Sequence, residues 1–369
     1  MKTSLHWILA LAAMVGLGAP AAAQKLRAVP VLTGLQQAWA VAFLPDGRLL
    51  VTEKAGALRI ATLDGRLSPP LAGLPAIDAV GQCGLLDVVV DPQFSRTQRL
   101  FFTFAEPAPA GQSGNSTAVG SARLVADQLQ DVRTLFSQKP KKRSELHCGS
   151  RIVVDRNGHL LVGLGDRYHQ RDEAQDPAQH IGKVVRITAD GKVPADNPWA
   201  ARTGTAPENF SHGHRNIQGA ALHPVTGELW ASEHGPQGGD EVNIVRPGRN
   251  YGWPLVTFGR NYGSGTRIGE EGPKAGFESP LRHWVPSVAP SGLAFLTSER
   301  YPGWKGSLFM GALRGQMLVR LTLDGDRITG EERLLQDLGR RIRDVRQGPD
   351  GWLYVLTDGA DAQLLRLQP

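Results

Sequence analysis

Hydrophobic residues recur along the chain in short paired runs, and each pair is separated by a polar turn of Asp or Pro with Gly. One pair spans residues 39–52, WAVAFLPDGRLLVT, and another spans residues 342–357, IRDVRQGPDGWLYVLT. Gly and Asp suit such turns because both tolerate unusual backbone angles. Each pair therefore predicts a β-hairpin made of two short, buried strands.

Four further copies of the same pattern lie between these two. They span residues 85–92 with 100–104, residues 150–165, residues 219–233 and, in a weaker form, residues 292–311. A repeating unit that cannot bury its own faces implies a stacked repeat architecture. Six all-β units favour a six-bladed β-propeller, formed as one domain by residues 24–369. In that fold the loops at the central axis can build one site from all six repeats.

The beginning of the chain predicts export. A positive start at Lys2 is followed by an apolar stretch over residues 7–17 and by small residues at 21–23. This order is typical of a secretory signal peptide, here residues 1–23. A membrane span needs roughly 20 apolar residues, so a retained anchor is disfavoured. We therefore expect a periplasmic or secreted protein without stable membrane insertion.

Composition narrows the class of protein and of partner. The chain has 44 Gly and 25 Pro and few helix-period stretches, which favours an all-β fold. The formal net charge is +6. Lys and Arg are dispersed except in residues 139–143, so a nucleic-acid partner is not expected. A basic protein can also hold an acidic ligand.

Two segments next to the repeats carry candidate catalytic chemistry. His147 stands at the entry of the third repeat and Asp166 at its end. A carboxylate beside an imidazole fixes its tautomer and raises its basicity, as a general base requires. Arg215 and Asn216 precede the fourth repeat and supply several donors for a carbonyl or carboxylate. The alternatives are an ordinary loop histidine and a loop ion pair.

Two other segments suggest a cation site and an anion site. Residues 233–241, EHGPQGGDE, combine backbone carbonyls exposed by glycine with carboxylates, the hard oxygens that calcium takes. Arg314 follows the fifth repeat, and Arg341 and Arg343 open the sixth. Residues i and i+2 of a strand point to the same side, so this pair would face one anion. A glycine-rich turn and a solvent-facing arginine pair remain the alternatives.

The two cysteines, Cys83 and Cys148, each lie at the start of a repeat. In an oxidising compartment such a pair can form a disulfide. The sequence leaves this open, because bridging needs Cα atoms within roughly 7 Å. Two free thiols packed as small apolar residues are the alternative.

Taken together, the segments at the repeat entries resemble the soluble quinoprotein sugar dehydrogenases, in the bacterial aldose sugar dehydrogenase branch of the glucose/sorbosone dehydrogenase family. The resemblance covers nearly the whole chain after the leader. It implies a six-bladed propeller that holds pyrroloquinoline quinone and calcium on its axis. The stretches that carry it are GQCGLLD (81–87), HCGSR (147–151), GHRNIQG (213–219), EHGP (233–236), GDE (239–241), NYGWP (250–254) and RIRDV (341–345).

The resemblance also implies a role for each matching residue. His147 corresponds to the general base, Asp166 to its partner and Arg215 to a group that stabilises the developing oxyanion. The cofactor-binding residues are expected to be Gln82, Arg215, Asn216, Arg314, Arg341 and Arg343. The calcium sites are expected to use the carbonyls of Gly235 and Pro236, and Glu241 with the carbonyl of Tyr251.

Some positions depart from the family pattern. Cys83 and Cys148 stand where the family has glycine, and Arg314 stands where it has lysine. The loops are shorter than in glucose-specific relatives, which favours a monomer and leaves the preferred sugar open. The expected partners are an aldose substrate and an electron acceptor that the sequence does not identify. Two other functions remain possible at this stage, a calcium-dependent propeller lactonase and a non-catalytic propeller binding module.

Overall fold

The structure is a computed structural model and describes residues 26–369. The predicted signal peptide, residues 1–23, lies outside this part and stays a prediction. Within residues 26–369 the chain forms six antiparallel sheets arranged as the blades of a propeller. The six-bladed fold predicted from the hydrophobic pattern is confirmed.

The strands follow the chain blade by blade. The first blade contains β2 (Ala38–Phe43), β3 (Leu49–Glu53) and β4 (Ala57–Ala61). The second contains β5 (Leu85–Val90), β6 (Arg99–Pro107), β7 (Asn115–Val125) and β8 (Gln128–Ser137). The third contains β9 (Ile152–Val154), β10 (His159–Gly163), β11 (Lys183–Thr188) and β12 (Asn209–His212). The fourth contains β13 (Ile217–Leu222), β14 (Leu229–Glu233), β15 (Asp240–Val245) and β16 (Arg282–Trp284). The fifth contains β17 (Pro290–Phe295), β18 (Leu308–Ala312), β19 (Met317–Asp324) and β20 (Arg327–Leu334).

The sixth blade joins the two ends of the described chain. It contains β21 (Ile342–Gln347), β22 (Leu353–Thr357) and β23 (Ala362–Gln368), and its outer strand is β1 (Arg27–Leu35). β1 runs antiparallel to β23, with Arg27 opposite Gln368. Pairing the first strand with the last completes the sixth blade and closes the ring.

The six predicted hairpins coincide with the two innermost strands of each blade. These strands are almost wholly buried, as in β3 and β22. The outer strands were not predicted, because their faces are largely exposed and their sequences are polar. β8 and β20 are examples, with mostly exposed or half-buried residues.

The hydrophobic core lies between the faces of neighbouring blades rather than at one centre. One cluster joins the first and second blades through Leu50, Leu85 and Phe102. Another joins the sixth and first blades through Val41 and Tyr354. Short helical turns lie in the connections at Phe94–Thr97, Arg171–Gln175 and Gln336–Leu338. No helix of residues 26–369 is both long and apolar enough to cross a membrane.

Candidate active site

The start of each innermost strand and the end of the strand next to it meet on one face of the propeller. In four blades the residue before the inner strand accepts a backbone hydrogen bond from the residue after the second strand. The acceptor and donor pairs are Gln37 and Lys54 (3.1 Å), Asn216 and His234 (3.1 Å), Ala289 and Leu313 (2.8 Å), and Arg341 and Asp358 (2.8 Å). All eight residues line one cavity of about 290 Å³. In four of the six blades the repeat therefore places one such pair around the axis.

One side of this cavity is rich in cations. Arg341 and Arg343 both bond Asp358, with Nε to carboxylate distances of 2.8 and 3.2 Å. Lys54 lies on the same side and donates to the carbonyl of Gly81 (2.6 Å). Two arginines thus share one carboxylate, and a third cation lies on the same side of the cavity. The prediction that the two arginines face one spot agrees with this arrangement.

Burial of Arg343 and partial burial of Lys54 favour the binding of an anion beside them, whereas Arg341 is exposed. Burial lowers the pKa of Arg343, and the neighbouring Asp358 opposes this shift. Burial and the charge of Arg343 likewise lower the pKa of Lys54. Desolvated cations that repel one another gain strongly from an added anion.

Beneath the cavity the axis is filled by paired charges. Arg151 lies 3.1 Å from both Asp87 and Asp344. Arg346 lies 2.8 Å from Asp87 and 2.9 Å from Asp344. Arg151 also donates to the carbonyl of Arg343 (3.2 Å). This network forms a floor under the cavity and supports the strand that carries the cationic pair.

The predicted base, His147, and its predicted partner, Asp166, lie close together on the side of the site away from the three cations. Nδ1 of His147 lies 2.6 Å from Oδ1 of Asp166, and both residues are buried. The second oxygen of Asp166 accepts from Trp253 Nε1 (2.8 Å), and the first also accepts from the Tyr168 amide (2.8 Å). With Nδ1 engaged, Nε2 is the ring nitrogen left for a substrate. Gln82 accepts a hydrogen bond from the His147 amide (2.9 Å).

The surroundings keep the pair in the form that a base needs. Burial and the positive charge of Arg215 lower the pKa of His147, while the bond to Asp166 opposes the shift. Burial would raise the pKa of Asp166, but the hydrogen bond from His147 and the charge of Arg215 hold it below its usual value. Near neutral pH the imidazole is therefore neutral and the carboxyl is ionised.

Arg215 and Asn216 occupy the junction between the two sides. Arg215 Nη1 donates to the carbonyls of His234 (3.0 Å) and Gly235 (2.6 Å). Its guanidinium lies over the ring of Trp253, 5.3 Å from the centroid. The side-chain oxygen of Asn216 accepts from the Gly149 amide (3.1 Å). Arg215 thus faces the His147 side and Asn216 the cationic cavity.

A second cavity of about 320 Å³ opens beside His147. Asp166, Arg215 and Pro236 line it together with His147, and its remaining wall is polar and aromatic. The other lining residues are Tyr168, His169, Arg171, Asp172, Trp253, Asn261, Tyr262 and Ile268. Apolar ring faces beside hydrogen-bonding groups suit a small polyhydroxylated molecule.

The carbonyls expected to bind the axial calcium lie at the same junction. The Gly235 carbonyl accepts from Arg215, and the Pro236 carbonyl accepts from the Tyr262 hydroxyl (3.0 Å) and the Ser287 hydroxyl (3.3 Å). Within residues 26–369 no three His, Cys, Asp or Glu side chains converge as a metal cluster. A cation here would therefore depend largely on backbone oxygens, which calcium accepts.

Glu241 and Tyr251 line a separate small cavity. Its volume of about 10 Å³ is close to that of one water-sized probe, and Glu233 and Gly235 also border it. Burial and the nearby charge of Glu233 raise the pKa of Glu241 to about 8. Two carboxylates in one enclosed space are destabilising unless a cation joins them, so the residues are suited to a calcium ion.

Arg314 lies apart from the other predicted cofactor residues. It is exposed in the turn that follows β18. Its neighbour Leu313 lines the cationic cavity, but Arg314 does not. Its role as a cofactor ligand stays a prediction.

The cysteine pair is bridged. Cys83 and Cys148 form a disulfide with Cα atoms 5.7 Å apart, and both are buried. The bond joins the second blade to the loop that carries His147. The alternative of two free thiols, left open by the sequence, does not describe this structure.

Sequence reasoning missed several lining residues. Three of them, Lys54, His234 and Asp358, share one repeat position, the residue directly after the second strand of a blade. Aligning the six repeats would have shown that these residues occupy equivalent positions. Trp253 and Tyr262 lie in the long connection between β15 and β16 and carry no such signal. Their contacts with the site depend on how that loop folds back over the face.

The chain is similar to known proteins of one family. Residues 35–366 match the family described as Glucose / Sorbosone dehydrogenase. The chain is 45% identical to the aldose sugar dehydrogenase YliI of Escherichia coli K12, over 91% of each protein.

Two solved structures extend the comparison. The soluble aldose sugar dehydrogenase of Escherichia coli in its apo form superposes with a TM-score of 0.90 and 43% identity, over 94% of this chain and all of that one. The PQQ-bound form of an aldose sugar dehydrogenase from Streptomyces coelicolor superposes with a TM-score of 0.77 and 28% identity, over 95% and 99% of the two chains. The chain therefore belongs to the glucose/sorbosone dehydrogenase family.

Proposed function

We propose that this protein is a quinoprotein aldose sugar dehydrogenase that oxidises the C1 position of aldoses to lactones. The observation that carries the proposal is the buried His147–Asp166 pair (2.6 Å), which opens onto one cavity beside a second cavity lined by three cations. A hydrolase has no need of that cationic cavity, and a non-catalytic binding module has no need of the His147–Asp166 pair. The arrangement suits a bound anionic cofactor facing a sugar.

The residues of the cationic side suit pyrroloquinoline quinone, which carries three carboxylates. Lys54, Arg341 and Arg343 would hold those groups, since charge-assisted hydrogen bonds are the strong ones. The carbonyls of Gly235 and Pro236 would bind the cofactor's calcium. When bound, the quinone would accept the hydride from C1, with calcium as a Lewis acid. We also propose Gln82, Asn216 and Arg314 as cofactor contacts.

His147 would remove the proton of the anomeric hydroxyl. Asp166 holds Nδ1–H, so the proton is accepted at Nε2. The sugar would lose one proton to the imidazole and one hydride, which the bound quinone would accept, and C1 would become the lactone carbonyl. The lowered pKa of His147 keeps it ready to accept a proton near neutral pH.

Arg215 would stabilise negative charge as it develops on oxygen in the transition state. Its Nη1 is held by two carbonyls, so the direction of the guanidinium is fixed before the substrate binds. A preorganised donor of this kind typically contributes on the order of 3 kcal/mol.

Reconstitution tests the proposal. Purified protein is incubated with pyrroloquinoline quinone and calcium, and reduction of a redox dye is followed with a panel of aldoses. Reduction that needs both additions supports the dehydrogenase. Lactone hydrolysis without the quinone would instead support the calcium-dependent lactonase. Absence of both activities would support the non-catalytic binding module.

We also propose that the protein is exported as a monomer after cleavage behind Ala23. The motivation is the charged, apolar and small-residue order of residues 1–23. Intact mass of the protein recovered from the periplasm or medium should correspond to a chain starting at Gln24. A full-length mass would contradict cleavage.

A further inference from the structure

The loop that carries His147, residues 144–150, runs through backbone angles that side-chain-bearing residues rarely adopt. His147 has φ +50° and Ser150 has φ +97°. In the facing loop Arg167 has φ +57° and Tyr168 has φ +66°. Such angles persist only where the surroundings strongly determine them. The position of the base therefore depends on what holds these two loops.

Part of the restraint is direct contact between the two backbones. A side-chain carbon added at Gly165 would lie 1.9 Å from the His147 carbonyl oxygen, and one added at Gly149 would lie 2.6 Å from the Gly163 carbonyl oxygen. Only glycine allows this approach. The two loops thus touch along their main chains, and a small displacement of either would move His147.

The remaining restraint converges on the Arg167 side chain, which is only 1% exposed. Its guanidinium contacts the sulfurs of both Cys83 and Cys148. It also donates to the Ser144 carbonyl (2.6 Å) and to the side-chain oxygen of Asn115. The Ser144 hydroxyl in turn donates to the Arg167 carbonyl (2.9 Å). One side chain therefore binds the start of the base loop and the disulfide that links this loop to the second blade.

This arginine forms no direct ion pair. Among residues 26–369 no carboxylate lies within ion-pair distance of Arg167, although the charges of Asp166 and Asp78 partly offset the effect of burial on its pKa. Its buried Nε has no hydrogen-bond partner. Burial lowers its pKa to about 10. A buried cation without a directly paired anion is destabilising, so the contacts of Arg167 with the base loop point to a role other than stability.

We propose that Arg167 is a positioning residue for His147, which together with the Cys83–Cys148 disulfide clamps the base loop in its strained conformation. The proposal rests on the proposed function for the role of His147 itself. Arg167 also adds a positive charge near the imidazole and so disfavours the imidazolium. The other charged or titratable groups around His147 are Asp166, Arg215, Tyr168 and His234. His169, Arg171, Asp172 and Tyr262 line the same cavity.

Kinetics of Arg167→Gln and Arg167→Lys provide the first test. Arg320→Gln is the matched control, because Arg320 is also buried but bonds Ser307 and Glu332 in the fifth blade. Arg167→Gln should lower kcat by about 10- to 100-fold with little change in KM, the scale expected when a catalytic group is misplaced. The acidic limb of its pH profile should move to higher pH, because loss of a cation raises the pKa of His147.

Arg167→Lys retains the charge without the planar fork. It should keep the acidic limb where it is in the wild type but recover only part of kcat. Arg320→Gln should change neither parameter. If Arg167→Gln matches the wild type in kcat and in pH profile, the positioning role is wrong.

Hydrogen exchange of the apo-protein separates this proposal from the proposed function. Peptides covering residues 144–150 should exchange roughly tenfold faster in Arg167→Gln, since local opening becomes easier, and should be unchanged in Arg320→Gln. Unchanged exchange in the first variant overturns the clamp. If Arg167→Gln does not fold, Arg167→Lys and Cys83→Ala with Cys148→Ala decide the question, and loop exchange like that of the wild type in both overturns it. Absence of sugar oxidation in the wild type would count against the dehydrogenase alone.

Discussion

The two sides of the site use different means to place their functional groups. Lys54, Arg341 and Arg343 reach the cavity on long side chains, from backbone with ordinary negative φ values. His147 sits on strained backbone that is held by glycine contacts and a disulfide. Holding an anion requires charge within a few ångströms, whereas proton transfer requires a defined direction and distance. The difference between the two sides follows from these two requirements.

Removal of the base should have the largest effect. His147→Ala should lower turnover by roughly 100- to 10,000-fold, the range typical of a general base, while quinone binding stays nearly intact. His159→Ala is a matched control, because His159 also pairs with a carboxylate, Asp155 (3.3 Å), at the β9–β10 turn. Steady-state rates of both reconstituted variants check this. Turnover of His147→Ala within a factor of about three of the wild type would contradict its role.

Removal of the cationic pair should act on binding instead. Arg341→Ala with Arg343→Ala should weaken quinone affinity on the order of 100-fold, since two charged hydrogen-bond donors are lost. Thermal stability of the apo-protein should change little, because Arg341 and Arg343 both pair with Asp358, which is partly exposed. Titration of quinone into the apo-variant measures the change. Unchanged affinity would show that this side does not bind the cofactor.

Lys54 offers a smaller test of the same side. Lys54→Met should weaken quinone affinity by about tenfold, since one cation is lost and the apolar stem is kept. Lys305→Met is the control, because Lys305 is exposed and pairs with Glu299 on the outside of the fifth blade. The same titration compares them, and equal affinities in both variants would remove Lys54 from the cofactor site.

The smallest expected effect concerns the cavity at Glu241. The pKa of Glu241 in the folded protein, about 8, lies above its ordinary value of 4.5. Between these two pH values the folded state therefore holds a proton that the unfolded state releases. The stability of calcium-free protein should therefore decrease as pH rises between about 4.5 and 8. Glu241→Gln should abolish this decrease and also the rise in melting temperature that calcium causes. Melting curves at several pH values, with and without chelator, provide the check; a calcium-dependent shift that survives in Glu241→Gln would place the ion elsewhere.

The repeated hairpins made the blades predictable, because the inner strands are buried and their turns require Gly and Asp. The polar outer strands lack this signal and become strands only by pairing with their neighbours. The His147–Asp166 pair could be proposed because both residues flank one repeat. The sharing of Asp358 by two arginines could not be predicted from the sequence, because it depends on the side-chain directions at the ends of two adjacent strands. Arg167 was missed because its function depends on burial against the disulfide rather than on residue type.

The pairing of β1 with β23 has a consequence for the order of assembly. The sixth blade, which carries Arg341, Arg343 and Asp358, contains both the first and the last strand of the described chain. This blade cannot be complete until β23 has been synthesised and has paired with β1. The cationic side of the site is therefore the last part of the ring to form, and cofactor capture would report that the ring has closed.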